Sequence, residues 1–209
     1  MKVTMIHLGG YERVYKQMRI APLAFAALAS VVPKSWEVKF VDESIQDIDF
    51  SIATDIVAIS ILTPNAYRGY AIANKFREKG CFVVFGGYHA TIMPEEALQH
   101  SDAVVLGEGE LAFAELLEDY SKGVNKKVYE RPISSFSELP YLDKSIFNPK
   151  NYTYPNSFQA TRGCVHKCNF CVIRKVLTGY KTMPVDMVID QIKKTQIGNI
   201  LHVENVACN

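Results

Sequence analysis

The run Asp55-Ile56-Val57-Ala58-Ile59-Ser60-Ile61-Leu62-Thr63-Pro64-Asn65 decides the fold. Between Ile56 and Leu62 only Ser60 is polar, and Ile56, Val57, Ile59 and Ile61 are β-branched. A strand with one wet face would alternate polar and apolar residues. One that is apolar throughout is covered on both faces, as the central strand of a parallel sheet is. Thr63-Pro64-Asn65 ends the strand and opens a helix that runs through Lys79 and stops at Gly80.

Upstream, Lys2 to Leu8 reads as a strand closed by Gly9-Gly10, and Trp36 to Val41 as a second strand ending at Asp42-Glu43. Between them Pro22 precedes Leu23, Phe25, Ala26, Leu28 and Ala29, an apolar stripe suited to a helix lying on a sheet. Downstream, Cys81 to Phe85 is a fourth strand running into Gly86-Gly87-Tyr88-His89. Pro94 starts a helix with Glu95 and Glu96 in its first turn, where negative charge suits the helix dipole. Ala103 to Leu106 is a fifth strand, followed by Gly107-Glu108-Gly109-Glu110 and a helix to about Tyr120. Strands alternating with helices predict an α/β domain over residues 1–123. It is expected to be a doubly wound, five-stranded parallel sheet of Rossmann type with flavodoxin-like strand order.

From 124 to 157 the pattern breaks into prolines, serines and scattered aromatics, which predicts a linker. Phe158 to Arg162 is then a strand, Pro184 to Thr195 a helix and Ile200 to Val203 another strand, so 158–209 reads as a second βαβ unit.

The 23 basic and 22 acidic residues nearly cancel, so charge gives no reason to expect nucleic acid as a partner. No apolar run reaches the roughly 18 residues of a membrane span. The N-terminus lacks the pattern of a signal peptide, and a cytoplasmic location is expected. Three of the five cysteines fall at Cys164, Cys168 and Cys171, a C-x3-C-x2-C spacing. Clustered thiols in a reducing compartment indicate metal rather than disulfides. Zinc would need a fourth ligand from His166, His202 or Cys208 and usually uses paired C-x2-C knuckles, of which only one is present. Three thiolates on one short loop suit an iron-sulfur cluster better.

Ala160-Thr161-Arg162-Gly163-Cys164 followed by C-x3-C-x2-C, with Phe170 before the last cysteine, resembles the cluster motif of the radical S-adenosylmethionine enzymes. The resemblance implies that Cys164, Cys168 and Cys171 bind a 4Fe-4S cluster whose open iron takes S-adenosylmethionine, with Phe170 near the adenine. It also makes residues 158–209 the first βαβ of a TIM-like barrel, incomplete within this chain because such barrels take about 250 residues. Glu204 stands where relatives hold the methionine amino group. The N-terminal domain is similar to the cobalamin-binding domain of one branch of that family. Ser60-Ile61-Leu62 fits its S-x-L signature, Gly86-Gly87 its paired glycines, and Gly107-Glu108-Gly109-Glu110 a further shared run.

On this reading Gly9, Gly10, Ser60, Leu62, Thr63, Gly86, Gly87, Tyr88, His89, Gly107 and Glu108 form a cobalamin site at the carboxyl ends of the strands. His7 keeps only the H-x-x-G remnant of the motif that ligates cobalt elsewhere, so no protein histidine is expected on the metal. A nicotinamide dinucleotide, with Asp42 on its ribose, is the rival ligand; Gly9-Gly10-Tyr11-Glu12 lacks its G-x-G-x-x-G turn. The implied activity is radical methylation, rearrangement or cyclisation of an unknown substrate, with electrons from a donor such as flavodoxin or ferredoxin. The alternative is a non-catalytic cobalamin- or nucleotide-binding module with a vestigial metal loop.

Overall fold

The computed structural model describes residues 1–9 and 19–194, together with the backbone of 201–205. The apolar run forms β3 (Ile56–Ser60), flanked in the sheet by β1 (Lys2–His7) and β4 (Phe82–Gly86). With β2 (Glu37–Asp42), β5 (Ala103–Leu106) and β6 (Val128–Glu130) these strands make one parallel sheet in the order β2-β1-β3-β4-β5-β6. The expected flavodoxin-like order is present, with one strand more. That strand comes from the segment expected as a linker. Its three residues are too short to show a period, and only Tyr129 among them is buried.

Successive side chains of β3 point to opposite faces. Ile56 and Ala58 join a core with α1 (Leu23–Ser30) and α5 (Gly109–Ser121), which includes Phe25, Phe113 and Leu116. Val57 and Ile59 join a second core with α2 (Ala66–Arg77), which includes Ile72, Ala73 and Phe76. Residues of the expected linker close the first core: Phe147 and Tyr152 are buried there, and Phe147 lies edge-on to Phe40 at 5.1 Å. A sheet covered on both sides is the physical reason that the β3 sequence carries almost no polar residue.

Two short helices, α3 (Tyr88–Ile92) and α4 (Pro94–Gln99), connect β4 to β5. Only α4 was marked in the sequence, by Pro94 and the two glutamates after it.

Beyond residue 155 a second sheet contains β7 (Asn156–Gly163) between β8 (Tyr180–Thr182) and β9 (Leu201–Asn205). β7 and β9 are parallel, with α7 (Val185–Lys194) between them in sequence, so the expected βαβ connection is present. β8 was not expected. It runs antiparallel to β7 and borders it on the other side, and the short α6 (Ile173–Val176) precedes it. Among the described residues no helix is long and apolar enough to cross a membrane.

Candidate functional site

In a doubly wound sheet the ligand crevice lies outside the carboxyl ends of the strands. The registers bring several expected residues together there. His7 pairs with Ser60 across β1 and β3, and Ser60 pairs with Gly86 across β3 and β4. The Ile61 N–H donates to the Gly86 carbonyl at 2.9 Å, and the His89 N–H donates to the Ile61 carbonyl at 3.1 Å. Thr91 ties the next turn in: its hydroxyl donates to the Gly87 carbonyl at 2.9 Å and accepts from the Gly107 N–H at 3.0 Å. Ser60, Gly86, Gly87, His89 and Gly107 thus belong to one hydrogen-bonded rim. Leu62 and Thr63 stand exposed beside it, and Leu62 is 46% accessible although apolar.

The paired glycines differ physically. Gly87 has φ +91°, and a Cβ there would lie 2.8 Å from both the Ile61 carbonyl oxygen and the Ser60 hydroxyl. The turn itself requires this glycine, whatever is bound. Gly86 is extended strand, and a Cβ on it would find only the Val105 carbonyl, at 3.8 Å. The fold does not require glycine at 86. Open ground above backbone at a strand end is what close approach of a flat, bulky ring needs, so the residues fit a corrinoid there.

Gly9 packs against the Glu43 backbone, where a Cβ would come within 3.2 Å, and its N–H donates to the Glu43 carboxylate at 3.1 Å. Gly10 lies outside the described residues. Asp42 accepts from the Ser44 N–H and hydroxyl and from the Tyr152 hydroxyl, at 2.9, 2.6 and 2.9 Å. At 4% exposure, a carboxylate so engaged is not presented to a ribose. His7 is partly buried, with its ring edge-on to Phe25 at 5.6 Å.

His89 is buried at 5% exposure and faces the protein rather than the crevice. Its Nδ1 lies 3.1 Å from the Thr63 hydroxyl and its Nε2 2.9 Å from the Tyr70 hydroxyl, which donates to Glu96 at 3.1 Å. Tyr70 has one proton, and Glu96 takes it. With a neutral ring, His89 Nε2 donates to Tyr70 and Nδ1 accepts from Thr63. The chain Thr63-His89-Tyr70-Glu96 then uses each donor once and turns the Thr63 proton toward His89. Burial, with the Glu96 hydrogen bond second, pushes the Tyr70 phenol well above the usual tyrosine range. Tyr70 and Glu96 were missed in the sequence, since a tyrosine on an amphipathic helix reads as core.

Glu108 also turns away from the crevice. Its side chain is 1% exposed and pairs with Arg162 and Lys181 of the second sheet, at 3.5 and 2.9 Å. The cysteine loop lies just beyond Arg162. Cys164 and Cys171 are half-buried, Cys168 is exposed, and all three are free. Among the described residues no three His, Cys, Asp or Glu side chains converge as a metal site. The chemistry of the donor set, three thiols within one loop, fits a cluster; their described positions do not yet form one. Phe170 is 92% exposed. Glu204 is in β9, in register with Gln159, and its side chain lies outside the described residues.

Comparison with known proteins agrees with the fold. The family model for the B12 binding domain matches residues 17–117. The chain is 34% identical over 158 residues to a bacteriochlorophyllide d C-8(2)-methyltransferase of Chlorobaculum tepidum, covering 72% of this chain and 35% of that protein. It is 31% identical over 185 residues to the bacteriochlorophyllide d C-12(1)-methyltransferase of the same organism, covering 84% of this chain and 40% of that protein. The chain therefore spans well under half the length of these curated relatives. Among solved structures it is similar to the cobalamin-dependent S-adenosylmethionine radical enzyme OxsB. That match has a TM-score of 0.72 and 16% identity, over 92% of this chain and 31% of that one, a likeness of fold.

Proposed function

We propose that the N-terminal sheet, whose residues 17–117 match the B12 binding domain model, holds cobalamin over the carboxyl ends of β3 and β4 as part of a radical S-adenosylmethionine methyltransferase. The observation that carries the reading is the open ground above Gly86, beside exposed Leu62, where the adjoining Gly87 is required by the turn itself. Gly86 and Gly87 would lie under the ligand, and Ser60, Leu62, Thr63 and the Gly107 turn would border it. The relatives named as methyltransferases favour methylation over rearrangement or cyclisation. Cobalamin, when bound, supplies a transferable methyl group.

The protein's own part is orientation and exclusion of water. Leu62 offers an apolar surface, and exposed Thr63 offers the lone pairs of a hydroxyl whose proton is engaged by His89. The carboxamide N–H groups at a corrin's edge suit such an acceptor. His89 is not assigned to cobalt, because it is committed to Thr63 and Tyr70.

Residues 158–209 are proposed as the start of the radical S-adenosylmethionine barrel. Cys164, Cys168 and Cys171 would ligate a 4Fe-4S cluster, and Phe170 and Glu204 would contact S-adenosylmethionine. A flavodoxin or ferredoxin would supply the electron. Purification without oxygen, with iron and sulfide analysis, tests the cluster: about four irons per chain supports it, and none after reconstitution sinks it.

A second reading, a cobalamin-binding module with a vestigial metal loop, is favoured by one observation: the three thiols do not converge among the described residues. Cleavage of S-adenosylmethionine to 5′-deoxyadenosine under reducing conditions discriminates the two.

A further inference from the structure

Arg162 of β7 and Lys181 of β8 are direct partners across an antiparallel ladder. Like charges placed opposite each other repel, and both side chains here are about nine-tenths buried, at 10% and 11% exposure. The arrangement stands because carboxylates from the first sheet enter between them. Glu108 accepts from Lys181 Nζ and from the Thr178 hydroxyl, both at 2.9 Å, and faces Arg162 at 3.5 Å. Glu110 takes the other arm of the Arg162 guanidinium at 2.7 Å, and Gln159 accepts from the same guanidinium.

These contacts sit at the two ends of one segment. Arg162 stands two residues before Cys164, and Thr178 and Lys181 close the connection that carries Cys164, Cys168 and Cys171 into β8. The two ends also touch at Gly163, where a Cβ would lie 1.8 Å from the Gly179 carbonyl oxygen. Glu108 itself is fixed by the β5 to α5 turn, at the crevice end of the sheet. One buried carboxylate thus ties the entry and the exit of the cysteine-bearing connection to the rim of the B12 domain.

We propose that Glu108 is a positioning residue, which holds the cysteine loop against the carboxyl edge of the first sheet rather than touching cobalamin. The inference rests on the proposed function only for what the loop carries. The anchoring is a property of this chain's own residues.

The test uses the full chain and per-cysteine alkylation by iodoacetamide, read by mass spectrometry. Cys81 is the internal reference, because it lies immediately before β4 with its thiol donating to the Thr54 carbonyl and its pKa pushed up by burial. Glu108→Gln keeps the shape and removes the charge. Losing a charged hydrogen-bond partner should raise the alkylation rates of Cys164 and Cys171 roughly tenfold, with Cys81 unmoved. Lys181→Met attacks the same anchor from the other side and should do the same, and the double variant should be little worse than either one.

Loop rates equal to the parent's in both single variants overturn the proposal. So do rates in which Cys81 rises with the loop in both, since that marks general unfolding. In protein reconstituted with ferrous iron and sulfide, Glu108→Gln should alter the paramagnetic spectrum of the reduced cluster at unchanged iron content. An unaltered spectrum overturns positioning of the cluster. A parent that takes up no iron defeats the proposed cluster, and the alkylation result then decides the anchor alone.

Discussion

Replacing the paired glycines one at a time separates what the fold needs from what the ligand needs. Gly87→Ala puts an L side chain at φ +91°, which costs about 1–2 kcal/mol in backbone strain. It also places a Cβ 2.8 Å from the Ile61 carbonyl oxygen, a backbone atom that cannot swing aside as a side chain would. The forced shift adds about 1–3 kcal/mol, for a loss of about 2–5 kcal/mol in all. With a urea slope of about 2 kcal/mol per molar, the unfolding midpoint should fall by about 1 to 2.5 M.

Gly86→Ala is different. The position is extended and the nearest atom is 3.8 Å away, so alanine should be neutral or stabilising by about 0.4–1 kcal/mol through the unfolded chain. Its methyl would stand where the corrin must meet backbone, and a misfit of about 1–3 kcal/mol weakens binding roughly five- to 150-fold. Urea unfolding followed by circular dichroism measures the first effect, and titration with hydroxocobalamin the second. A Gly87→Ala protein as stable as the parent would refute the strain argument. A stable Gly86→Ala protein with the parent's affinity would refute the placement of the ligand.

Further outcomes follow from the same geometry. Tyr70→Phe removes the donor to Glu96 and the acceptor of the His89 proton, and should cost about 1–3 kcal/mol in a urea titration. Arg162→Met leaves Glu110 buried without its cation and strips one from Glu108. Its expected cost is about 3–5 kcal/mol, measured the same way. Gly163→Ala, at φ +87° beneath the Gly179 carbonyl, should detach the β7–β8 pairing, seen as faster amide exchange over 161–163 and 180–182. Burial holds the Tyr70, Tyr120 and Tyr129 phenols above their ordinary values. The folded state therefore keeps these protons at pH values where the unfolded chain has released them. Stability should be level through neutral pH and fall above about pH 10, checked by urea midpoints at a series of pH values.

What could be read from the chain alone divides along physical lines. β3 and β5 were readable because a strand covered on both faces carries apolar residues at nearly every position, and α4 because Pro94 and two glutamates mark a helix start. α3 was hidden since it begins straight after Gly87, without a capping side chain. β6 and β8, three residues each, are too short for any period to show.

The site divides in the same way. Glycines at strand ends are visible in sequence, but whether a turn or a ligand needs them is a matter of what a Cβ would strike. His89 and Glu108 both stand in ligand-like runs and both turn inward. Their partners lie 19 to 73 residues away, at Tyr70, Thr63, Arg162, Thr178 and Lys181, and no local pattern announces such pairings.

The proposed corrinoid lies over β3 and β4. Its most direct test is gel filtration of the chain at micromolar concentration after incubation with hydroxocobalamin, with the corrinoid absorption band followed through the run. The band is expected to travel with the protein at about one corrinoid per chain and to be diminished in Gly86→Ala. Protein that elutes without the band would contradict the proposal.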